Sequence, residues 1–309
     1  MAGSALVTGG AGFIGSHLVE RLLCAGWTVR VLDNFSTGSP ENLRRVSRDI
    51  EIATADVRDG SACAASCRGV DAVFHLAAIA SVASSVEDPA LTHDVTLGGT
   101  LNMLLAARDA GVRRFVYTSS AAVYGNAGSV PTPESQPILP LSPYATAKAA
   151  GEMYCRNFHG LYGLETVSLR YFNVFGPRQS ANSGYAAAIP RFVHAALRDE
   201  NPTVFGDGRQ TRDFVFVEDV ARANILAAGA TEAPGMAFNV AGGAEISLLD
   251  LLSALRDVTG ARLAPDFKPQ RPGDVRRSRA SIELARSVLD YSPAVSVTEG
   301  IRRTVEAAR

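Results

Sequence analysis

The sequence predicts an α/β fold, a doubly wound parallel sheet with a smaller C-terminal α/β lobe. Two observations carry this. Short β-branched runs recur between helical stretches through the first 172 residues: "ALVTGG" (5–10), "TVRVLDN" (28–34), "IEIATAD" (50–56), "AVFHLAA" (72–78), "RFVYTSS" (114–120) and "ETVSLRYF" (165–172). The first run passes straight into a glycine-rich turn and a helical stretch, "TGGAGFIGSHLVERLL". Strands alternating with helices need right-handed crossovers, which make the strands parallel and cover both faces of the sheet.

Each element then has its own reason. Gly9-x-x-Gly12-x-x-Gly15 stands where the first strand meets the helix 15–25. Glycines there allow a tight turn and a close approach of backbone to a pyrophosphate, which sits at the positive end of the helix. This is a Rossmann-type dinucleotide signal, and the flanking strand and helix give it weight. The second strand ends at Asp33, where a carboxylate accepts hydrogen bonds from the adenine ribose and repels a 2'-phosphate; NAD is expected over NADP. Asp56 closes the third strand, within reach of the adenine amino group, although either acid also suits a turn or cap. Cys63 and Cys67 fall on an alanine-rich helix without partner histidines, so a metal is not expected. His75 reads as structural, and a further helix covers 98–110.

The stretch "SPYATAKAA" (142–150) opens a helix near Ser142, with Pro143 in the first turn and alanines behind it. Tyr144 and Lys148 then share one face, a turn apart. A phenol titrates near 10, and an ammonium beside it lowers that value, so the pair can take a proton from a hydroxyl and return it. Taken alone, Tyr-x-x-x-Lys is short and common and fits an ordinary exposed helix as well.

After residue 172 the rhythm breaks into "NVFGPRQSANSGYAAAIP" and "NPTVFGDGRQTRDFVFVEDV", rich in Gly, Pro and aromatic residues. The expected division is a sheet domain over 1–172, with 211–243 returning to it, and a substrate lobe from 173–210 and 244–309, where long connections carry specificity. The tail from Leu284 to Arg309 reads as helical and polar-faced.

Composition limits the partners. The chain has 309 residues, 47% of them apolar and 20% charged, with a net charge of -1. No basic face emerges for a phosphate backbone, so nucleic acid is not expected. The N-terminus shows no signal-peptide pattern, and no run reaches the roughly 18 apolar residues of a membrane span. A cytoplasmic protein is expected.

Read in order, "TGGAGFIGS", "LDN", "HLAA", "TSSAAVYG", "SPYATAK", "RYFNVFGPR", "RDFVFVEDVA" and "RPGD" resemble the extended short-chain dehydrogenase/reductases, and most of all the UDP-galactose 4-epimerase family of nucleotide-sugar epimerases. The matches span residues 4 to about 290. The resemblance implies a proton-shuttling base at Tyr144, with Lys148 its electrostatic partner and a ligand of the nicotinamide ribose. Ser120 would bond the sugar O4. Gly9, Gly12, Phe13, Ile14, Gly15, Asp33, Asn34, Asp56, Val57, Leu76, Ala77 and Ala78 would line the NAD site. Asn173, Arg212, Arg271 and Asp274 match positions that hold the UDP moiety. NAD would oxidise C4 of the sugar while Tyr144 takes the O4 proton; the keto-sugar would turn over in its site, and reduction from the other face would invert C4. Members of this family pair as homodimers through the helices near 95–110 and 144–160.

The same superfamily holds dehydratases, decarboxylases and reductases, and a non-catalytic NAD-binding sensor is a further alternative. Dehydratases and decarboxylases place carboxylates beside the "TSS" segment, where this chain has Ser119, Ser120, Ala121 and Ala122. Reductases usually take NADPH, which Asp33 opposes. A sensor would have lost Ser120, Tyr144 or Lys148. Two departures from the epimerase pattern stand out. Thr96 occupies a place where many members have asparagine, which puts a backbone-orienting contact in doubt. Ser278 occupies the place of a tyrosine that closes the sugar pocket in narrow-specificity members, and leaves room for an N-acetyl group. For a C6 carboxylate, Arg178, Arg191, Ser180 and Ser183 are the groups available. UDP-glucose, UDP-N-acetylglucosamine and UDP-glucuronate all stay open.

Overall fold

A computed structural model describes residues 3–180, 188–270 and 275–309 of the protein. The six β-branched runs form β1 (Ser4–Thr8), β2 (Thr28–Asp33), β3 (Ile50–Thr54), β4 (Ala72–His75), β5 (Arg114–Ser120) and β6 (Glu165–Tyr171). Between them run α1 (Phe13–Cys24), α2 (Gly60–Cys67), α3 (Val82–Glu87), α4 (Pro89–Thr92), α5 (Gly99–Asp109) and α6 (Pro143–Tyr162). A seventh strand, Ala237–Val240, pairs with β6. The sheet order is Ala237–Val240, β6, β5, β4, β1, β2, β3, and every pairing is parallel. Strand order reverses between β1 and β4, which opens a crevice at their C-terminal ends, the place where such sheets take ligands.

Burial of both faces explains the near-continuous apolar strands. Successive side chains point to opposite faces. Ala5 and Val7 pack with Leu18 and Leu22 of α1, while Leu6 packs with Met103 and Leu104 of α5 and Phe158 of α6. Cys63 and Cys67 belong to the second cluster. Both are free thiols, and burial pushes each up to about 12, so they act as small apolar side chains.

The remaining helices are α7 (Ala188–Leu197), α8 (Val217–Gly229), α9 (Leu248–Thr259), α10 (Glu283–Leu289) and α11 (Val297–Ala308). Val220, Ala223 and Ala227 of α8 join the α1 side of the sheet. A third core joins Phe192 and Val193 of α7 to Leu251, Leu252 and Leu255 of α9 and to Ile301 and Val305 of α11. The tail is two helices, not one. Asp290 adopts a left-handed conformation (φ 54) that ends α10, Pro293 follows, and α11 turns Ile301 and Val305 inward. Asp213 ties this region to the sheet: its carboxylate accepts the N–H groups of Gly242 (2.8 Å), Gly243 (3.1 Å) and Ala280 (3.0 Å). Among the described residues no helix is long and apolar enough to cross a membrane.

Candidate active site

The crevice is built first by the turn after β1. Gly9 takes φ 69, and a Cβ there would lie 2.9 Å from the Ala77 nitrogen; a Cβ on Gly15 would lie 2.1 Å from the Gly9 oxygen. Only glycine lets this turn pack against both α1 and the segment after β4. Gly12 is the N-cap of α1 and supplies no side-chain cap, so the first-turn N–H groups of Phe13 and Ile14 are left for a ligand.

The neighbouring strand ends complete this half. Asp33, 7% exposed, accepts Ala11 N and Phe35 N, each at 2.8 Å, which fixes its carboxylate at the mouth of β2. Asn34 donates to Asp56 (2.8 Å), and the Arg58 guanidinium (2.9 Å) holds the Asp56 carboxyl well below the usual range. Val57 is buried beside Gly99. Leu76 N and Ala77 N both donate to Thr8 Oγ1 at 3.2 Å, which sets the start of the Leu76–Ala78 segment against β1. His75 bridges Thr8 Oγ1 (2.7 Å) and Thr100 Oγ1 (3.0 Å). Burial pushes it down to about 3, so it is neutral and structural. Thr96 lies in the π-helical turn His93–Gly98, and its Oγ1 accepts Ile79 N at 3.1 Å. The threonine thus keeps a backbone-orienting role for the segment after β4.

The second half of the crevice lies one strand further along. Ser142 caps α6 by accepting Ala145 N (3.2 Å), with Pro143 in the first turn. The Ser120 side chain lies near the Tyr144 phenol. Lys148, 2% exposed, donates from Nζ to the Thr118 carbonyl at 2.7 Å and sits 5.1 Å from the centre of the Tyr117 ring. Burial pushes Lys148 down to about 7. Burial also pushes Tyr144 up, with the Ser120 hydroxyl working against it. This corrects the expectation that the lysine lowers the phenol in the resting protein: a lysine that titrates near 7 is only half charged there, and loss of water around the ring outweighs it.

The third group lines a cavity of about 230 Å³ whose walls include Asn173, Arg191, Phe192, Phe205, Gln210 and Arg212. Arg212 donates to the Thr211 carbonyl (2.8 Å) and the Val275 carbonyl (2.6 Å). Asn173 donates to the Asp213 carbonyl at 3.0 Å. Gln210 donates to the Phe205 carbonyl at 2.5 Å. Asn173, Arg191 and Arg212 therefore line one cavity, Asn173 standing two residues beyond the end of β6. The aromatic walls and Gln210 were not anticipated; the run "VFGDGRQTRDF" carried the signal in its two phenylalanines and in Gln210 two places before Arg212. Arg271 and Asp274 lie outside the described residues. Ser278 is half-buried, between Arg277, paired with Glu245 (2.5 Å), and Arg279, which donates to the Gly243 carbonyl (3.0 Å).

The model of the NAD dependent epimerase/dehydratase family matches residues 5–241. The chain belongs to this family. Over 308 residues it is 44% identical to a UDP-glucose 4-epimerase of Mycolicibacterium smegmatis, covering 98% of each chain. A solved UDP-glucose 4-epimerase of Thermotoga maritima, with UDP-glucose, superposes with a TM-score of 0.94 at 40% identity, over 99% of this chain and 98% of that one. A UDP-N-acetylglucosamine 4-epimerase of Methanobrevibacter ruminantium gives 0.95 at 38% identity, with the same coverage. As a member of the epimerase/dehydratase family the protein is an NAD-dependent enzyme. Its own residues fit that cofactor: a turn with glycine at positions 9, 10 and 12, a helix N-terminus without a side-chain cap, and the Asp33 carboxylate at the end of β2.

Proposed function

We propose that the protein inverts C4 of a UDP-hexose through a 4-keto intermediate, with UDP-glucose its primary substrate and UDP-N-acetylglucosamine admitted beside it. The observation that carries this reading is the placement of Tyr144, near the start of α6, by the Ser120 side chain at the end of β5, with Lys148 buried against the Thr118 carbonyl of the same strand. Bound NAD supplies reversible oxidation at the sugar carbon. Tyr144 takes the O4 proton and returns it, and Ser120 steers the sugar hydroxyl to the phenol. Lys148 favours the phenolate whenever it is charged, and its hydrogen bond to Thr118 aims it along the strand end. Gly9, Gly12, Phe13, Ile14 and Gly15 hold the pyrophosphate, Asp33 and Asn34 the adenine ribose, and Asp56 and Val57 the adenine. Leu76, Ala77 and Ala78 back the nicotinamide half. Asn173, Arg191 and Arg212, with Arg271 and Asp274, grip the UDP so that only the hexose turns.

Dehydration and decarboxylation are disfavoured because positions 119–122 offer no carboxylate. The acid that lies behind them, Glu152, is locked to Arg170 at 2.6 Å. A uronate substrate is disfavoured because Arg178 is paired with Glu20 at 2.5 Å and Arg191 belongs to the UDP cavity. The UDP-N-acetylglucosamine relative and the small Ser278 support the wider specificity. We further propose the domain division given above and a homodimer through α5 and α6, in which exposed Met153 and Leu161 would be covered. The test of substrate range is Ser278→Tyr: conversion of UDP-N-acetylglucosamine is lost while that of UDP-glucose persists. Equal retention of both would refute the specificity reading.

A further inference from the structure

Tyr144, Lys148 and Glu152 stand one turn apart on α6, and each meets a different one of three consecutive residues of β5. Tyr144 lies by the Ser120 side chain, Lys148 donates to the Thr118 carbonyl, and Glu152 accepts a hydrogen bond from Ser119 Oγ. Glu152 is 6% exposed and Arg170 3%. The guanidinium reaches both carboxylate oxygens, Nε at 2.9 and 3.2 Å and an Nη at 2.6 Å. Its other end donates to Tyr124 Oη (2.8 Å) and the Glu134 carbonyl (3.1 Å), and Tyr124 Oη donates to Asn239 (2.7 Å) on the strand Ala237–Val240. Replacing such a buried pair with apolar groups is often neutral or stabilising, so stability alone is a weak reason for it.

We propose that Glu152 is a positioning residue of the proton transfer: through Ser119 it holds the end of β5 in register with α6, so that Ser120 meets Tyr144, and with Arg170 it sets the electrostatic potential at Lys148. This rests on the epimerase reading of the site. The groups facing Lys148 are Glu152 and Cys155 on its own helix, the Tyr117 ring and Thr118 carbonyl of β5, and neutral His75 of β4. Facing Glu152 are Arg170 of β6, Ser119 of β5 and, through Arg170, Tyr124. Among the other charged groups on elements packed against α6, Glu87, Asp88, His93, Asp94 and Asp109 are exposed, Arg108 is half-buried and paired with Asp109, and buried Arg114 of β5 is paired with half-buried Glu165 of β6. Neutralising Glu152 leaves Arg170 unmatched, makes the potential at Lys148 more positive and favours loss of its proton.

The chain has two lysines, Lys148 and Lys268, and Lys268 is exposed and paired with Asp266. Lysine-labelled, cofactor-free protein therefore gives two NMR titrations. In Glu152→Gln the Lys148 titration is expected about one pH unit lower than in the unsubstituted protein, with Lys268 unmoved; an unmoved Lys148 overturns the electrostatic half of the proposal. Should that variant not fold, Glu152→Gln/Arg170→Met removes both charges; Glu152 acts on Lys148 from its own helix, so the Lys148 titration is still expected lower, by less than in the single variant, and an unmoved Lys148 again overturns this half. Ser119→Ala tests the register half by kinetics: kcat with UDP-glucose falls about tenfold while KM stays within about a factor of two, and an unchanged kcat overturns it. The titration needs no turnover, so an unsubstituted protein inactive on every UDP-sugar would sink the epimerase reading without touching the lysine result.

Discussion

Replacing Lys148 with methionine is expected to stabilise the cofactor-free protein at neutral and acid pH and to do nothing of the kind in alkali. Burial takes the lysine from its ordinary 10.5 to about 7. At about 1.36 kcal/mol per pH unit, that gap comes to roughly 5 kcal/mol, an upper figure for the cost of keeping a charged lysine in the fold. Between about 7 and 10.5 the unfolded chain holds this proton and the folded protein does not. Stability therefore rises with pH across that window, and the full cost is felt below about 7. Methionine removes the titration and gives up the hydrogen bond to the Thr118 carbonyl, a loss of about 1 kcal/mol. Urea unfolding of both proteins between pH 6 and 10 isolates the effect, since the other titrating groups cancel in the difference. The methionine variant should gain several kcal/mol at pH 6 and lose that advantage steadily toward pH 10. Parallel stability curves would refute the assignment of Lys148 as a buried, half-charged group.

Other consequences follow from the same geometry. Tyr144→Phe should lower kcat by about 10²- to 10⁴-fold, the usual range for a lost general acid–base group, while the protein still copurifies with NAD as measured by absorbance after denaturation. Gly15→Ala forces a Cβ to within 2.1 Å of the Gly9 oxygen, so calorimetry should detect no NAD binding even in preparations that fold. Asp33→Asn removes the charge opposed to a 2'-phosphate and should narrow the ratio of NAD to NADP affinity. Asp213→Asn sets an amide against three backbone N–H donors and should cost roughly 2 kcal/mol in denaturant unfolding.

The sheet was legible because its strands are buried on both faces and bounded by turn residues. The positions of Asp33, Ser120 and Tyr144 were legible because the β-branched runs end at the first two and the Ser142-Pro143 pair marks the helix start beside the third. Glu152 was not singled out, although it continues the same four-residue spacing as Tyr144 and Lys148; its role depends on Arg170 and Ser119, which reach it only in three dimensions. The direction of the Tyr144 titration was misjudged for a related reason: spacing on a helix shows which charges are near, but desolvation depends on what covers the ring. The break in the tail at Asp290 was missed because a left-handed aspartate leaves little trace in hydrophobic periodicity. The cavity lined by Arg212 draws its walls from segments more than thirty residues apart, such as Asn173, Arg212 and Leu248, and local sequence cannot say which of them meet.

The most direct test of the account is proton NMR of the anomeric signals when the purified protein, without added cofactor, is incubated separately with UDP-glucose, UDP-N-acetylglucosamine and UDP-glucuronate. UDP-galactose should grow from UDP-glucose, and UDP-N-acetylgalactosamine from UDP-N-acetylglucosamine. UDP-glucuronate should persist, and Tyr144→Phe should abolish both conversions. Unchanged spectra for all three sugars after NAD is supplied, or full activity of the phenylalanine variant, would contradict it.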